Sequence, residues 1–204
     1  MSLAISIKTN FPDVQRQLAQ LRDDVGARAL TSTVNKTVDQ AKTEMSRQIR
    51  NEFNISAAKV RDALVVHGAT YKNGIFAIEA SLESPAKRGR SLNVINFGAR
   101  PAPMGVSVQI KKGGARAVIP GAFIGNQGRT VFIRVPGTTM ASRSRYAGTK
   151  HAQEIAPVQT IEVAQMFNTR RVNARVIAFI ESKLPALFDH EVQFYLDRFN
   201  RSSS

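Results

Sequence analysis

The chain has 204 residues, of which 43% are hydrophobic, so it can bury a core and is not compositionally disordered. It contains no cysteine, which excludes disulfides, thiolate nucleophiles and zinc–cysteine sites. Its net charge of +14 predicts a polyanionic partner or an acidic protein surface, unless the charge serves solubility alone. No apolar run approaches the roughly 20 residues that span a bilayer, and the N-terminus lacks a secretory signal pattern.

The positive charge is concentrated in residues 84–153, called the basic segment below. It contains twelve Lys and Arg residues and no acid, whereas the flanking regions are near neutral. It is also rich in Gly, Pro and β-branched residues. This predicts an α+β fold with N-terminal helices, a central antiparallel β region with basic loops, and a long C-terminal helix. We expect one domain over 1–204, mainly helical over 1–64 and 154–204, with β structure, long basic loops and an arm over 65–153.

The N-terminal third begins with apolar–polar alternation over 1–9, which predicts a strand. Pro12 and Asp13 predict the start of a helix, which Gly26 would break or bend. A longer helix follows and ends near Phe53. Its apolar stripe has spacings of three and four residues and consists of Leu30, Val34, Val38, Ala41, Met45 and Ile49.

The sequence of the central region predicts short strands separated by turns. Ser56 is the predicted N-cap of a short helix, and Asn73-Gly74 predicts a hairpin turn. Further strands are expected at 64–71, 75–82, 92–97, 106–110, 117–119, 122–124 and 131–135. The intervening segments are an extended linker at 100–103, turns at 111–114 and 125–128, and an irregular arm at 136–153.

The sequence of the C-terminal third predicts helices. Pro157 predicts the start of one helix, and Thr169 is the expected cap of the next. An apolar face on that second helix is formed by Val172, Val176, Phe179, Ile180 and Leu184. Pro185 should kink or split it before its continuation through Leu187, Phe188, Val192, Tyr195, Leu196 and Phe199.

Catalytic chemistry is not indicated. His67, His151 and His190 are far apart in the sequence, and none belongs to a metal-ligand motif. The glycine-bearing stretches match neither a phosphate-binding loop nor a dinucleotide fingerprint. We therefore expect a structural protein with no catalytic residue, no metal and no cofactor.

The C-terminal half resembles the phage and prophage minor tail protein Z family. The similar parts, in order, are Gly121-Ala122-Phe123-Ile124, the strand Arg129–Arg134, a loop with Arg145-Tyr146, the stretch from Ile155 to Met166, and a long terminal helix. The resemblance implies a tail-completion or neck protein of the virion, assembled in the host cytoplasm. It also implies a hexameric ring at the head-proximal end of the tail, which helps head–tail joining and genome-end positioning.

The basic segment gains a role under this hypothesis. Its cations would face DNA in the ring lumen, or acidic surfaces of tail-tube, tail-terminator and connector proteins. A free, sequence-nonspecific DNA- or RNA-binding protein is the alternative. The few aromatic residues in the segment argue against single-strand stacking. The candidate contact residues are Lys87, Arg88, Arg90, Arg100, Lys111, Lys112, Arg116, Arg129, Arg143, Arg145 and Lys150.

Overall fold

The computed structural model describes residues 3–8, 23–70, 78–85, 91–138 and 153–202. It shows the expected α+β fold, with a long helix near the N-terminus, small antiparallel sheets in the middle and a long C-terminal helix. The chain divides into two compact units. Unit 1 comprises Met1–Ile49, Ala57–Ala86 and Val163–Ser204, and unit 2 comprises Arg50–Ser56 and Lys87–Glu162.

The described residues of unit 1 form helices and one three-stranded sheet. Its elements are β1 (Leu3–Lys8), α1 (Asp23–Glu52, whose last turn belongs to unit 2), α2 (Ala57–Asp62), β2 (Val65–His67), β3 (Glu79–Ser84), α3 (Val163–Phe167) and α4 (Arg170–Ser202). The strand order is β1-β3-β2, with both pairs antiparallel. The strand predicted at the N-terminus is therefore confirmed. Its pairing with β3, about eighty residues along the chain, was not part of the sequence prediction.

The core of unit 1 contains the predicted stripe of α1, and all six of its side chains are buried. Thr33 and Thr37 are also fully buried in this helix. Each hydroxyl donates a hydrogen bond to the carbonyl four residues earlier, so neither polar group lacks a partner. α1 passes through Gly26 without ending there, so the expected break is absent.

α1 and α4 run antiparallel. Arg175, early in α4, donates to the side chain of Gln48, late in α1, at 3.2 Å. Glu191, late in α4, accepts hydrogen bonds from Ser32 and Lys36, early in α1. On α4 the buried apolar positions recur every four residues and comprise Val172, Val176, Ile180, Leu184 and Phe188. α4 is one continuous helix that includes Pro185, so the proline does not split it.

The described part of unit 2 contains two three-stranded sheets and one turn of 3₁₀-helix. Its elements are the 3₁₀-helix Val94–Phe97, β4 (Arg100–Ala102), β5 (Gly105–Val108), β6 (Ala117–Pro120), β7 (Phe123–Gly125), β8 (Thr130–Arg134) and β9 (Ile155–Pro157). The sheets have the orders β4-β5-β6 and β7-β8-β9, all antiparallel.

Asn93 connects the 3₁₀-helix to β8. Its side-chain oxygen accepts from the backbone N–H groups of Ile95 at 3.1 Å and Val131 at 2.9 Å. Its amide nitrogen donates to the carbonyl of Val131 at 2.9 Å. The side chain therefore caps a helical turn and pairs with a strand at the same time.

Two further predicted elements are wrong, and a third is incomplete. The strand predicted at 92–97 is a 3₁₀-helix, because Asn93 caps its start and Gly98, with a φ of 63°, ends it in the left-handed region. The linker at 100–103 is extended as expected, but it pairs with β5 and forms β4. The helix expected from Pro157 begins only at Val163, because 155–157 pairs with β8 instead.

Several predicted features lie outside the described residues. They are the helix starting at Pro12, the turn Asn73-Gly74 and most of the arm at 136–153. The turns at 111–114 and 125–128 are confirmed. Thr169 directly precedes α4, where its carbonyl accepts a hydrogen bond from the Asn173 N–H at 3.0 Å and its hydroxyl donates to the carbonyl of Gln165.

Candidate interface of the basic segment

Five of the eleven candidate cations lie within the described residues. Arg100, Lys111, Lys112, Arg116 and Arg129 are all exposed. The other six fall outside the described residues and are Lys87, Arg88, Arg90, Arg143, Arg145 and Lys150. The interface that the structure describes is therefore formed by strand β4 and by two hairpins of unit 2, β5–β6 and β7–β8.

Arg100 and Arg116 lie on one face of the β4-β5-β6 sheet. Arg100 is the cross-strand partner of Ser107, and Ser107 is the partner of Val118. Cross-strand partners project from the same face. The neighbouring side chains Val106 and Val108 are buried, so the face with Ser107 is the outer one.

Arg116 crosses this outer face and bonds to the backbone. Its Nε donates to the Ser107 hydroxyl at 3.0 Å, and its Nη2 donates to the carbonyls of Gly98 at 2.7 Å and Ser107 at 3.1 Å. The guanidinium therefore ties the start of β6 to β5 and to Gly98, the residue that ends the 3₁₀-helix. Arg116 therefore has a structural role, because both its Nε and its Nη2 donate hydrogen bonds within unit 2.

Lys111 and Lys112 lie in a turn that is fixed at both ends. The Lys112 N–H donates to the Glu52 carbonyl at 2.9 Å, and Lys111 forms an antiparallel bridge with Phe53. Inside the turn, the Gln109 amide donates to the carbonyls of Lys112 at 3.1 Å and Gly114 at 2.9 Å. These bonds attach the turn to the end of α1, and both lysine side chains are exposed.

Arg129 occupies the loop between β7 and β8. Asn126 and Gln127 have φ values of 51° and 54°, and they are followed by Gly128 at 83°. Three successive residues in the left-handed region make a tight turn, closed by a bond from the Gly128 N–H to the Gly125 carbonyl at 3.1 Å. Among the described residues, no hydrogen bond or ion pair joins Arg129 to the cations of the β5–β6 hairpin.

These five cations have no acidic partner among the residues that the structure describes. No salt bridge within the described ranges involves any of them. Unit 2 as a whole carries 13 Lys and Arg residues against three acids, Glu52, Glu154 and Glu162. Such a surface attracts anions through a field that is not cancelled locally.

Arg134 has a different role, although it belongs to the same basic segment. Its guanidinium carbon lies 5.5 Å from the centre of the Phe123 ring, and Phe123 is the cross-strand partner of Phe132. The two rings are 6.0 Å apart at their centres. Arg134 thus forms a cation–π contact within its own sheet. Counting aromatic residues in the sequence could not find this cluster, because it depends on strand register.

The described part of the chain contains no metal-site candidate, meaning no group of three or more His, Cys, Asp or Glu residues that could hold a metal ion. His67 lies 3.7 Å from Glu83, and His190 lies 4.0 Å from Glu191, while His151 is outside the described residues. None of the described helices is both long and apolar enough to span a membrane.

Comparison with known proteins adds no assignment. No protein-family model, curated protein or solved structure matches the chain.

Proposed function

We propose that this protein is a structural component of a phage virion, a minor tail or tail-completion protein in the neck region. It forms an oligomeric ring, a hexamer by the resemblance to the minor tail protein Z family, at the head-proximal end of the tail. It helps to join the tail to the head and to position the end of the genome. It is not an enzyme and uses no cofactor.

One observation supports this proposal most directly. Five candidate cations of unit 2, Arg100, Lys111, Lys112, Arg116 and Arg129, are exposed, and no salt bridge within the described residues involves them. Repeating such a surface around a ring would line a channel or a docking rim with positive charge. Lys and Arg contacts to phosphates provide sequence-independent affinity, which suits DNA passing through a channel.

The proposal is tested on intact particles. The phage or prophage encoding this chain is induced, and purified virions are examined by cryo-electron microscopy and mass spectrometry. We expect the chain in every particle, as a ring near the head–tail junction, and free heads and tails when its gene is deleted. A chain that is absent from virions and stays monomeric at assembly concentrations would contradict the proposal.

The same cations support a second candidate, a free nucleic-acid-binding protein without sequence preference. This candidate predicts that the isolated monomer binds duplex DNA or RNA, with an affinity that falls steeply as salt rises. Fluorescence anisotropy from low to physiological salt measures that slope. Failure to bind at low salt would eliminate this candidate without affecting the virion proposal.

A further inference from the structure

The outer face of the β4-β5-β6 sheet carries two arginines around one serine. Arg100 is the cross-strand partner of Ser107, and the Arg116 Nε donates to the Ser107 hydroxyl at 3.0 Å. Directly opposed residues of an antiparallel pair have Cβ atoms about 5 Å apart, so Arg100 and Arg116 flank the same side chain. Both arginines are exposed. The strand register thus brings two cations from separate parts of the segment to one point.

The Arg116 guanidinium is held in place but is not neutralised. Its Nη2 donates to the carbonyls of Gly98 at 2.7 Å and Ser107 at 3.1 Å, in addition to the bond from Nε. All three acceptors are uncharged oxygens, so the positive charge remains. Among the described residues, Nη1 has no acceptor. A cation that the fold already immobilises loses little side-chain entropy when it binds an anion.

The charge of this pair is not compensated within the described residues. Neither Arg100 nor Arg116 takes part in a salt bridge there. Two guanidinium groups beside one serine repel each other until an anion lies between them. An anion bound next to Ser107 would remove that repulsion and would accept charge-assisted hydrogen bonds from both arginines.

The rest of this outer face is low, which lets a large ligand approach it. Two cross-strand rows lie on this side of the sheet, and apart from Arg100 their side chains are small or short. They are Ala102, Gly105, Ser107, Val118 and Pro120. A rod-like polyanion can therefore come close enough to reach the Ser107 hydroxyl between the two arginines.

The donors around Ser107 suit a phosphodiester better than a carboxylate. The Ser107 oxygen accepts from Arg116, and its own hydrogen has no acceptor among the described residues. Donors thus come from β4, from β5 and from the start of β6. A tetrahedral phosphate presents oxygens in several directions, whereas a single arginine already satisfies both oxygens of a planar carboxylate.

We propose that Arg100, Ser107 and Arg116 form a binding site for one backbone phosphate of DNA. Arg116 is the cation that the fold positions in advance, Arg100 binds the phosphate from β4, and the Ser107 hydroxyl donates a further hydrogen bond. The inference rests on the proposed function, because it names the residues through which the chain contacts the genome. A phosphate contact reads no base, so the affinity is independent of sequence.

The test is fluorescence anisotropy of the full-length protein with a labelled DNA duplex over a series of salt concentrations. Arg100→Gln removes one phosphate contact, so the affinity should fall about tenfold and the salt slope by about one. Arg100→Lys keeps the charge but loses the planar fork, so the affinity should fall about fivefold with an unchanged slope. Arg129→Lys, the same exchange in the β7–β8 loop, is the matched control and should change the affinity less than about twofold.

These variants test binding rather than folding, because Arg100 is exposed and makes no hydrogen bond within the described residues. Circular dichroism confirms that each variant is folded. A polyglutamate peptide is the second ligand, and we expect it to bind more weakly than DNA and to distinguish Arg100→Lys from wild type less.

Three results would overturn the phosphate site. They are a wild type that does not bind DNA at low salt, an Arg100→Lys variant that binds DNA as wild type does, and a polyglutamate peptide that binds as tightly as DNA with the same dependence on Arg100. Each of them leaves a ring in virions possible. Absence of the chain from virions would instead overturn the proposed function, and the anisotropy result would be unaffected.

Discussion

The two units of this chain use charge in opposite ways. Unit 1 has 16 basic and 12 acidic residues, and its buried acids Glu44 and Glu191 are bonded to cations. Unit 2 has 13 basic and three acidic residues, and its five described candidate cations have no salt bridge within the described ranges.

The difference separates charges that stabilise the fold from charges that are available to a partner. A buried carboxylate is tolerated when cations and hydrogen-bond donors compensate its lost hydration, so removing it leaves those partners unsatisfied. An exposed cation without an acid contributes little to stability. Mutations of charge should therefore destabilise unit 1 and change binding by unit 2.

The largest effect is expected from Glu191→Ala in unit 1. Glu191 is 2% exposed and accepts hydrogen bonds from Ser32 and Lys36. Because Lys36 is half exposed and can regain water, we expect a loss of about 2–3 kcal/mol in the free energy of unfolding. Urea denaturation followed by circular dichroism measures it. The exposed Glu181→Ala on the same helix should cost less than about 0.5 kcal/mol. Equal losses would refute the stabilising role of Glu191.

Asn93→Ala in unit 2 should have the next largest effect, although it removes no charge. The side chain makes three hydrogen bonds, to Ile95 and to both backbone groups of Val131. We expect about 2 kcal/mol of destabilisation, against about 1 kcal/mol for Asn96→Ala, whose side chain donates only to the Asn93 carbonyl. Protection of the Val131 amide in hydrogen exchange is the local readout, and unchanged protection would argue against this role.

Acid should destabilise unit 1 through its two buried carboxylates. Burial raises the pKa of Glu191, but the hydrogen bonds from Lys36 and Ser32 outweigh it, so the pKa lies below its ordinary value of 4.5. The Arg47 guanidinium lowers the pKa of Glu44 in the same direction. Each carboxylate therefore adds stability above pH 4.5, and this is lost as the pH falls through the folded-state pKa.

The matched test is Glu191→Gln, followed by thermal melting between about pH 6 and about pH 3, a range that brackets the titration of a carboxylate. Its melting temperature should depend less on pH across this range than that of the wild type. Parallel curves for the two proteins would show that Glu191 does not contribute to the acid sensitivity.

The smallest effect on stability is expected from Lys111→Gln/Lys112→Gln in unit 2. Both side chains are exposed and unpaired within the described residues, so the change should stay within about 0.5 kcal/mol. If these lysines meet phosphate, the salt slope for DNA binding should fall by about one for each lysine that is replaced. Arg170→Gln/Lys183→Gln, on an exposed part of unit 1, is the control and should leave the slope unchanged.

Much of the helical structure could be predicted because helices depend on local periodicity. The stripe from Leu30 to Ile49 is buried as predicted, and the apolar positions of α4 recur in the same way. The strand predictions in the central region were less accurate than the helix predictions. The segment 92–97 has the composition of a strand, but the Asn93 side chain bonds to Val131, 38 residues away, and stabilises a 3₁₀ turn instead.

The candidate interface was predictable as a composition but not as a geometry. The excess of cations in the basic segment is visible in the sequence. The structure shows that Arg116 is bonded to backbone carbonyls, while Lys111 and Lys112 project from a fixed turn. These roles depend on which strands lie next to each other.

The sequence by itself determined the α+β class, the periodic faces of the long helices and the acid-free segment, because each follows from composition or from spacing within one element. Only the tertiary structure decided that Glu191 pairs with α1, that Asn93 pairs with β8, and that Arg116 bonds to the carbonyls of Gly98 and Ser107. Each of these depends on backbone groups and partners brought together from distant parts of the chain, and strand register sets which groups face outward.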